Sequence, residues 1–371
     1  VPQRDATDAT GDGRTFPAYR FAGSHRQIGR AYGEACRPLI QRHLAYARLR
    51  LEARIPGFDP AVAAARALAY RPFVQRHAPF LDEEIAGVAE GAALALGDAY
   101  LLQLRAEAQN DLEQAAECTT FAILPAATAN GIGLVGQNAD LPAFYADVAV
   151  VAELAPDDGP SCLVLTPAGQ VSYIGINAEG LGMFANFLSC GGWRVGYPRY
   201  LFTRLGLRER TAGAAIDAIA ALPRASSRNL IALDAGGGAL DAETTPEALA
   251  RLEPVGGVLA HANHFLSPAL QRLEAADPAY LHNSRARQAR MEELLRSHRG
   301  RLDAVAMRTV LRDRQTAPDS LCRRPEDAGF LPPAERDVIT FASVIAEPAE
   351  GRMWVAVGPP DAHPYRLYRM A

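Results

Sequence analysis

Apolar residues recur at helical spacing through the first third of the chain. From residue 118 onward the pattern changes to short apolar runs separated by Gly, Pro, Asp and Asn. Residues 1–15 are polar and rich in Gly and Asp, a composition expected to stay disordered. Residues 16–22 read as a short strand. Ser24-His25-Arg26-Gln27 then has the form of a capping box, opening a long helix to about residue 51 with Ile28, Tyr32, Cys36, Leu39 and Leu44 on its apolar side. Pro38 should kink or split that helix, because it has no amide hydrogen and its ring collides with the preceding turn. Further helices are expected at 60–77, 81–96 and 98–114, the last with Asp98 as its N-cap.

Beyond the change, strand-like runs occupy 118–124, 132–138, 147–154, 161–166, 171–176 and 181–187. Helical spacing returns at 200–207, 214–222, 284–297 and 302–311, with strands at 229–233, 258–260, 338–345 and 352–357. Helices and strands segregated in this way predict an α+β fold rather than a doubly wound parallel sheet. The glycines around Asn177, from Gly175 to Gly182, read as a tight turn with a structural purpose.

Candidate chemistry concentrates at the break. Glu117-Cys118-Thr119-Thr120-Phe121 sets a thiol at the mouth of an apolar strand, and Gly136-Gln137-Asn138-Ala139-Asp140 lies on the next run. Asn130-Gly131 between them supplies turn chemistry, so a hairpin is expected to set Cys118 beside Asn138 and Asp140.

Composition narrows the classes. The 371 residues, 49% apolar and 22% charged, suit a globular protein of one large or two closely joined domains. A net charge of -4 gives no electrostatic case for nucleic acid. All 38 cationic residues are Arg, which excludes a Lys nucleophile or Schiff base. Cys36, Cys118, Cys162, Cys190 and Cys322 are scattered and without a Cys-x-x-Cys pair, arguing against a disulfide framework or a zinc site and fitting a reducing compartment. No apolar run reaches the length of a membrane span and the N-terminus lacks a signal pattern, so a cytoplasmic location without a membrane partner is expected. No Gly-rich phosphate loop is present, which leaves coenzyme A use unsupported, and no cofactor is expected.

The order of the motifs resembles the acyl-CoA:6-aminopenicillanate (isopenicillin N) acyltransferase family of self-cleaving N-terminal-nucleophile cysteine hydrolases and acyltransferases. Cys118-Thr119-Thr120 and the segment 136–140 carry the resemblance together with His261-Ala262-Asn263-His264, Ser284-Arg285, Arg290-Met291-Glu292 and Ser320-Leu321-Cys322-Arg323. It covers nearly the whole chain from about Phe21 on. It implies a four-layer αββα fold for residues 118–371, with residues 1–117 a helical leader that stays attached as the small subunit. It also implies autoproteolysis between Glu117 and Cys118, after which the new α-amine serves as base toward the Cys118 thiol. A small acyl amide or acyl thioester would donate its acyl group to Cys118, and an amine or water would accept it.

The same resemblance assigns function to three further residues. Asp140 would orient and tune the amine, Asn263 would donate to a developing oxyanion, and Arg323 would hold a substrate carboxylate or support the site. Asn138 either holds the hairpin or donates to the site. Two departures stand out. Glu117 replaces the Gly that precedes the nucleophile in the penicillin-forming member, and Ala139 and Leu141 replace aromatic residues around the Asp. Two other readings compete: an uncleaved cysteine hydrolase with His261 or His264 as base, and a catalytically silent binding protein of the same fold.

Overall fold

The computed structural model of the protein describes residues 3–4, 13–104, 107 and 117–371. The expectation for residues 1–15 thus falls largely outside the described residues, although β1 (Gln3–Arg4) pairs with Tyr19 and Ala18 of β2 (Ala18–Gly23). Helix α1 (His25–Ala35) starts at the capping box, Ser24 accepting from the Gln27 amide and the Gln27 side chain accepting from the Ser24 amide. Pro38 splits the helix instead of kinking it. It sits in the first turn of α2 (Arg37–Arg54), where its missing amide hydrogen is not needed. Pro72 has the same effect on the expected helix at 60–77, which is two helices, α3 (Pro60–Leu68) and α4 (Arg71–His77).

Helix α5 (Pro79–Ala92) lies against α1 with almost no separation. A Cβ on Gly29 would stand 2.1 Å from the Glu84 carbonyl oxygen, so glycine is required by the close approach. In α6 (Leu96–Gln103) Asp98 is not the N-cap. It lies in the first turn and accepts from Arg48 at 2.6 Å. The remainder of the expected helix at 98–114 lies mostly outside the described residues.

Two sheets form the body. The first runs in the order β1, β2, β5 (Ala149–Pro156), β6 (Cys162–Pro167), β7 (Ile174–Asn177), β8 (Gly182–Asn186), β9 (Arg228–Leu233), β10 (Ala239–Thr244), β11 (Leu249–Leu252). The second runs β12 (Val258–His261), β3 (Glu117–Ile123), β4 (Leu134–Pro142), β13 (Val338–Glu347), β14 (Arg352–Val357), β15 (Tyr365–Arg369). All described pairings are antiparallel except β2 with β5. The strands β10, β11 and β15 were not legible in the sequence, β11 because it is short and largely exposed.

Strand periodicity sorts the side chains into three cores. Ala122 and Val135 point inward and meet Leu163, Ile176 and Ile231 of the first sheet. Phe121, Ile123 and Leu134 point outward, against Met291 and Leu295 of α11 (Pro278–Ser297) and Met307 of α12 (Ala304–Leu311). On the far side of the first sheet, Val150, Val164 and Ala232 pack with Ile28, Tyr32 and Ile85 of α1 and α5, and with Ile216 of α9 (Ala212–Ala220). The fold is therefore α+β, with facing sheets and helices outside each. The N-terminal helices belong to one of these cores, and β2 completes a sheet, so this part of the chain is built into the body. No helix among the described residues is long and apolar enough to cross a membrane.

Candidate active site

The expected hairpin exists: in β3 and β4, Glu117 pairs with Asp140, Cys118 with Ala139 and Thr119 with Asn138. Gly136 makes the third strand possible, because a Cβ there would lie 2.1 Å from the Val344 carbonyl oxygen of β13. The hairpin does not bring the expected side chains to one face. Paired residues share a face and neighbours alternate, so Cys118 points between the sheets while Asn138 and Asp140 point outward toward α11 and α12. What reaches the thiol from β4 is the Asp140 amide, not its carboxylate. The Tyr173 hydroxyl lies within hydrogen-bonding reach of the same thiol.

Burial pushes the Cys118 thiol up to about 11. The nearby Asp140 charge adds to this, and the Asp140 amide, Arg228 and Tyr173 oppose it. At neutral pH the thiol is therefore overwhelmingly protonated. Both backbone groups of Cys118 are clamped by buried side chains. Its amide donates to Asn263 Oδ1 at 2.9 Å, and its carbonyl accepts from Arg287 Nη1 at 2.9 Å.

Arg287 is the residue that sequence reasoning missed. It lies on α11, fully buried, and also donates to Thr119 Oγ1 at 2.8 Å, Asn263 Oδ1 at 2.9 Å and Asn283 Oδ1 at 2.8 Å. A signal was available: Asn283 and Arg287 stand one turn apart on the face that also carries Tyr280, Met291 and Leu295, an odd place for charge unless it is used. Arg323 donates to the same Asn283 oxygen at 2.8 Å and stands 3.4 Å from Asp140 Oδ2. Thr340 donates to Asp140 Oδ1 at 2.6 Å and accepts from the Arg323 amide at 2.9 Å. Burial raises Asp140 to about 7 against the opposing Arg287 charge and the Thr340 hydrogen bond.

The structure brings Cys118, Asn263, Asp140 and Arg323 into one network through Arg287 and Asn283. Asn263 faces the nucleophile differently from the expected oxyanion donor. Its oxygen end is at the Cys118 amide, and its Nδ2 donates to the Phe187 carbonyl at 3.0 Å. Arg287 can only donate, which fixes that orientation. Asn138 is a tie between elements. It donates to the Leu311 and Leu321 carbonyls and accepts from Ser343, away from the thiol. Asn177 likewise holds its turn, accepting from the Glu179 and Leu181 amides.

The two candidate histidine bases are held by other partners. His261 Nδ1 lies 2.9 Å from the Ala262 carbonyl and Nε2 lies 2.9 Å from Glu243, so both nitrogens are engaged away from Cys118. Burial would lower its pKa, but Asp241 and Glu243 prevail and raise it to about 9, making it an imidazolium at neutral pH. His264 is lowered to about 4 by burial, then by the His261, Arg285 and Arg287 charges, and its Nδ1 meets Ser284 Oγ. Ser284 in turn accepts from the Asn263 amide at 2.7 Å, so His264 touches the site only at second hand. Among the described residues, no cluster of three or more His, Cys, Asp or Glu is arranged to hold a metal ion.

Residues 127–362 match the acyl-coenzyme A:6-aminopenicillanic acid acyl-transferase family. The chain belongs to that family. It is 28% identical over 251 residues to the acyl-coenzyme A:6-aminopenicillanic-acid-acyltransferase 40 kDa form of Emericella nidulans, covering 66% of this chain and 67% of that protein. Among solved structures it resembles a variant of conjugated bile acid hydrolase from Clostridium perfringens at TM-score 0.46 and 13% identity, over 68% of this chain and 97% of that one. Penicillin V acylase from Agrobacterium tumefaciens follows at TM-score 0.43 and 12% identity, over 65% and 83%. These structural likenesses are distant.

Proposed function

We propose that this chain is an autoproteolytic cysteine acyltransferase or amidohydrolase with the αββα N-terminal-nucleophile fold, and that Cys118 is its nucleophile. One observation carries the reading: buried side chains grip the amide and the carbonyl of Cys118 from both sides. A core cysteine that merely fills space has no use for such a clamp. In maturation, the Cys118 sulfur attacks the Glu117 carbonyl carbon. The C–N bond breaks as the C–S bond forms, and the nitrogen takes up the proton the thiol loses. Water then cleaves this thioester, leaving a carboxylate on Glu117 and the restored thiol on Cys118.

The freed α-amine inherits Asn263 Oδ1 as its hydrogen-bond acceptor, which aims it at its own side chain. A base is needed there, because a thiol at about 11 does not ionise unaided at neutral pH. An α-amine, with an ordinary pKa of about 8, is matched to that task. It accepts the thiol proton as sulfur attacks an amide or thioester carbonyl, and it returns the proton to the leaving group. An amine or water then takes the acyl group from the thioester. Arg287 holds the nucleophile's carbonyl, and Arg323 and Thr340 hold Asp140 behind the strand. The fragment 1–117 remains bound after cleavage, since its described residues 18–104 share a core and a sheet with the rest.

The test is the intact mass of the wild type beside Cys118→Ala. Two fragments split between Glu117 and Cys118 in the wild type, with a whole Cys118→Ala chain, are expected. Acyl transfer from acyl amides or acyl thioesters found active with the wild type should fall by more than about 10³-fold in the variant. Two uncleaved chains would remove the α-amine base and overturn the mechanism.

A further inference from the structure

The inward side of Cys118 carries a second group of buried charges that the reaction above does not use. Arg228, on β9, and Arg199, just before α8 (Phe202–Gly206), are 3% and 0% exposed. Their guanidinium carbons lie over aromatic faces. Arg228 stands 4.6 Å from the Tyr200 ring, and Arg199 stands 4.7 Å from Phe187 and 4.9 Å from Trp193. Tyr200 and Phe187 belong to the same buried cluster as Cys118, with Trp193 packed against it. The Tyr173 ring, whose hydroxyl reaches the Cys118 thiol, stands 6.2 Å from the Tyr200 ring on which Arg228 rests.

These cations are poorly matched by protein acceptors. Arg228 Nε, and Arg199 Nε and Nη2, have no hydrogen-bond partner among the described residues. Arg199 Nη1 donates to the Ser227 carbonyl at 3.3 Å, and the carboxylate paired with Arg199 among the described residues, Glu107, approaches only to 4.0 Å, its Oε1 accepting instead from the Arg199 amide and the Ser226 hydroxyl. Aromatic faces return only part of the cost of removing a guanidinium from water. Two such groups against one carboxylate at 4.0 Å leave a cationic pair among the described residues that an anion would complete.

We propose that Arg228 and Arg199 form a carboxylate-binding subsite beside Cys118, so that the substrate presents a single carboxylate near the acyl group it transfers. This rests on Cys118 being the nucleophile. The planar, forked donors of a guanidinium suit a carboxylate. Among the described residues, the two Arg against Glu107 leave one positive charge, which matches a monoanion better than a phosphate.

A pair of alkylating probes tests the subsite without knowledge of the substrate. Iodoacetate and iodoacetamide differ in one negative charge, and each leaves a distinct mass on the Cys118 peptide. In the wild type, the iodoacetate-to-iodoacetamide rate ratio at Cys118 should exceed that at glutathione by about 10-fold. Arg228→Met should bring it to within about 2-fold of glutathione, while Arg228→Lys keeps most of the preference. A wild-type ratio equal to that of glutathione, or one unchanged in both Arg228→Met and Arg199→Met, would overturn the subsite and leave the nucleophile standing. A Cys118 that neither reagent labels, in a chain that does not cleave, would remove the nucleophile and the subsite together.

Discussion

The two faces of β3 at Cys118 differ in how their charges are treated. On the outer face Arg287 donates four hydrogen bonds, and Arg323 and Thr340 close around Asp140. On the inner face Arg228 and Arg199 meet rings, and several of their nitrogens have no acceptor among the described residues. Both faces are buried, so exposure does not explain the contrast. The outer network holds a backbone in place through the hydrogen bonds of Arg287, while Asp140 Oδ2 beside it has the 3.4 Å ion pair to Arg323 and no hydrogen bond. The inner one is left incomplete, the state of a site that takes its last partner from outside.

Removing an outer charge should therefore cost far more than removing an inner one. Arg287→Met strands the Asn263, Cys118 and Asn283 acceptors and leaves Asp140 without its favourable field. It should cost about 3–5 kcal/mol in urea denaturation and abolish cleavage. A variant that unfolds like the wild type and still matures would erase the distinction.

The His261 cluster sharpens the comparison, because it too lies between the sheets, yet Glu243 pairs with its ring directly at 2.9 Å, with Asp241 at 4.0 Å. Its folded pKa of about 9 exceeds the ordinary 6.5, so the protonated form is the one that folding favours. That stabilisation is full below pH 6.5 and is lost as pH rises through 9. Up to about 3 kcal/mol should disappear across this window in wild-type denaturation curves, and His261→Gln should lack that slope. An equal slope in both proteins would assign it to other groups.

For Arg228→Met the expected stability change is small, within about 1 kcal/mol of wild type, because no good hydrogen bond is broken and a charge leaves the interior. A loss comparable with that of Arg287→Met would make Arg228 a structural ion. The least effect belongs to His264→Gln: cleavage complete and kcat within about 2-fold of wild type. A collapse of kcat with intact folding would restore His264 as a base.

Much of this organisation was legible along the chain. The shift from helical to strand spacing at residue 118, the capping box at Ser24 and the Asn130-Gly131 hairpin are local signals, set by backbone sterics and by which positions must avoid water. They determined the element types, while the family resemblance came from the order of the quoted motifs. Faces and partners were not local. Asp140 pairs beside Cys118 along the strands yet turns its carboxylate the other way, because alternation places its outer side against α11. Arg287 reaches Cys118 across 169 positions of sequence, and only the packing of α11 on β3 brings them together. Arg228 and Arg199 each read as one of many arginines until two sheets closed over them. Spacing in sequence records which residues can share a strand or a helix. Which charges find partners is decided when those elements pack, since burial removes the water that would otherwise have served every one of them.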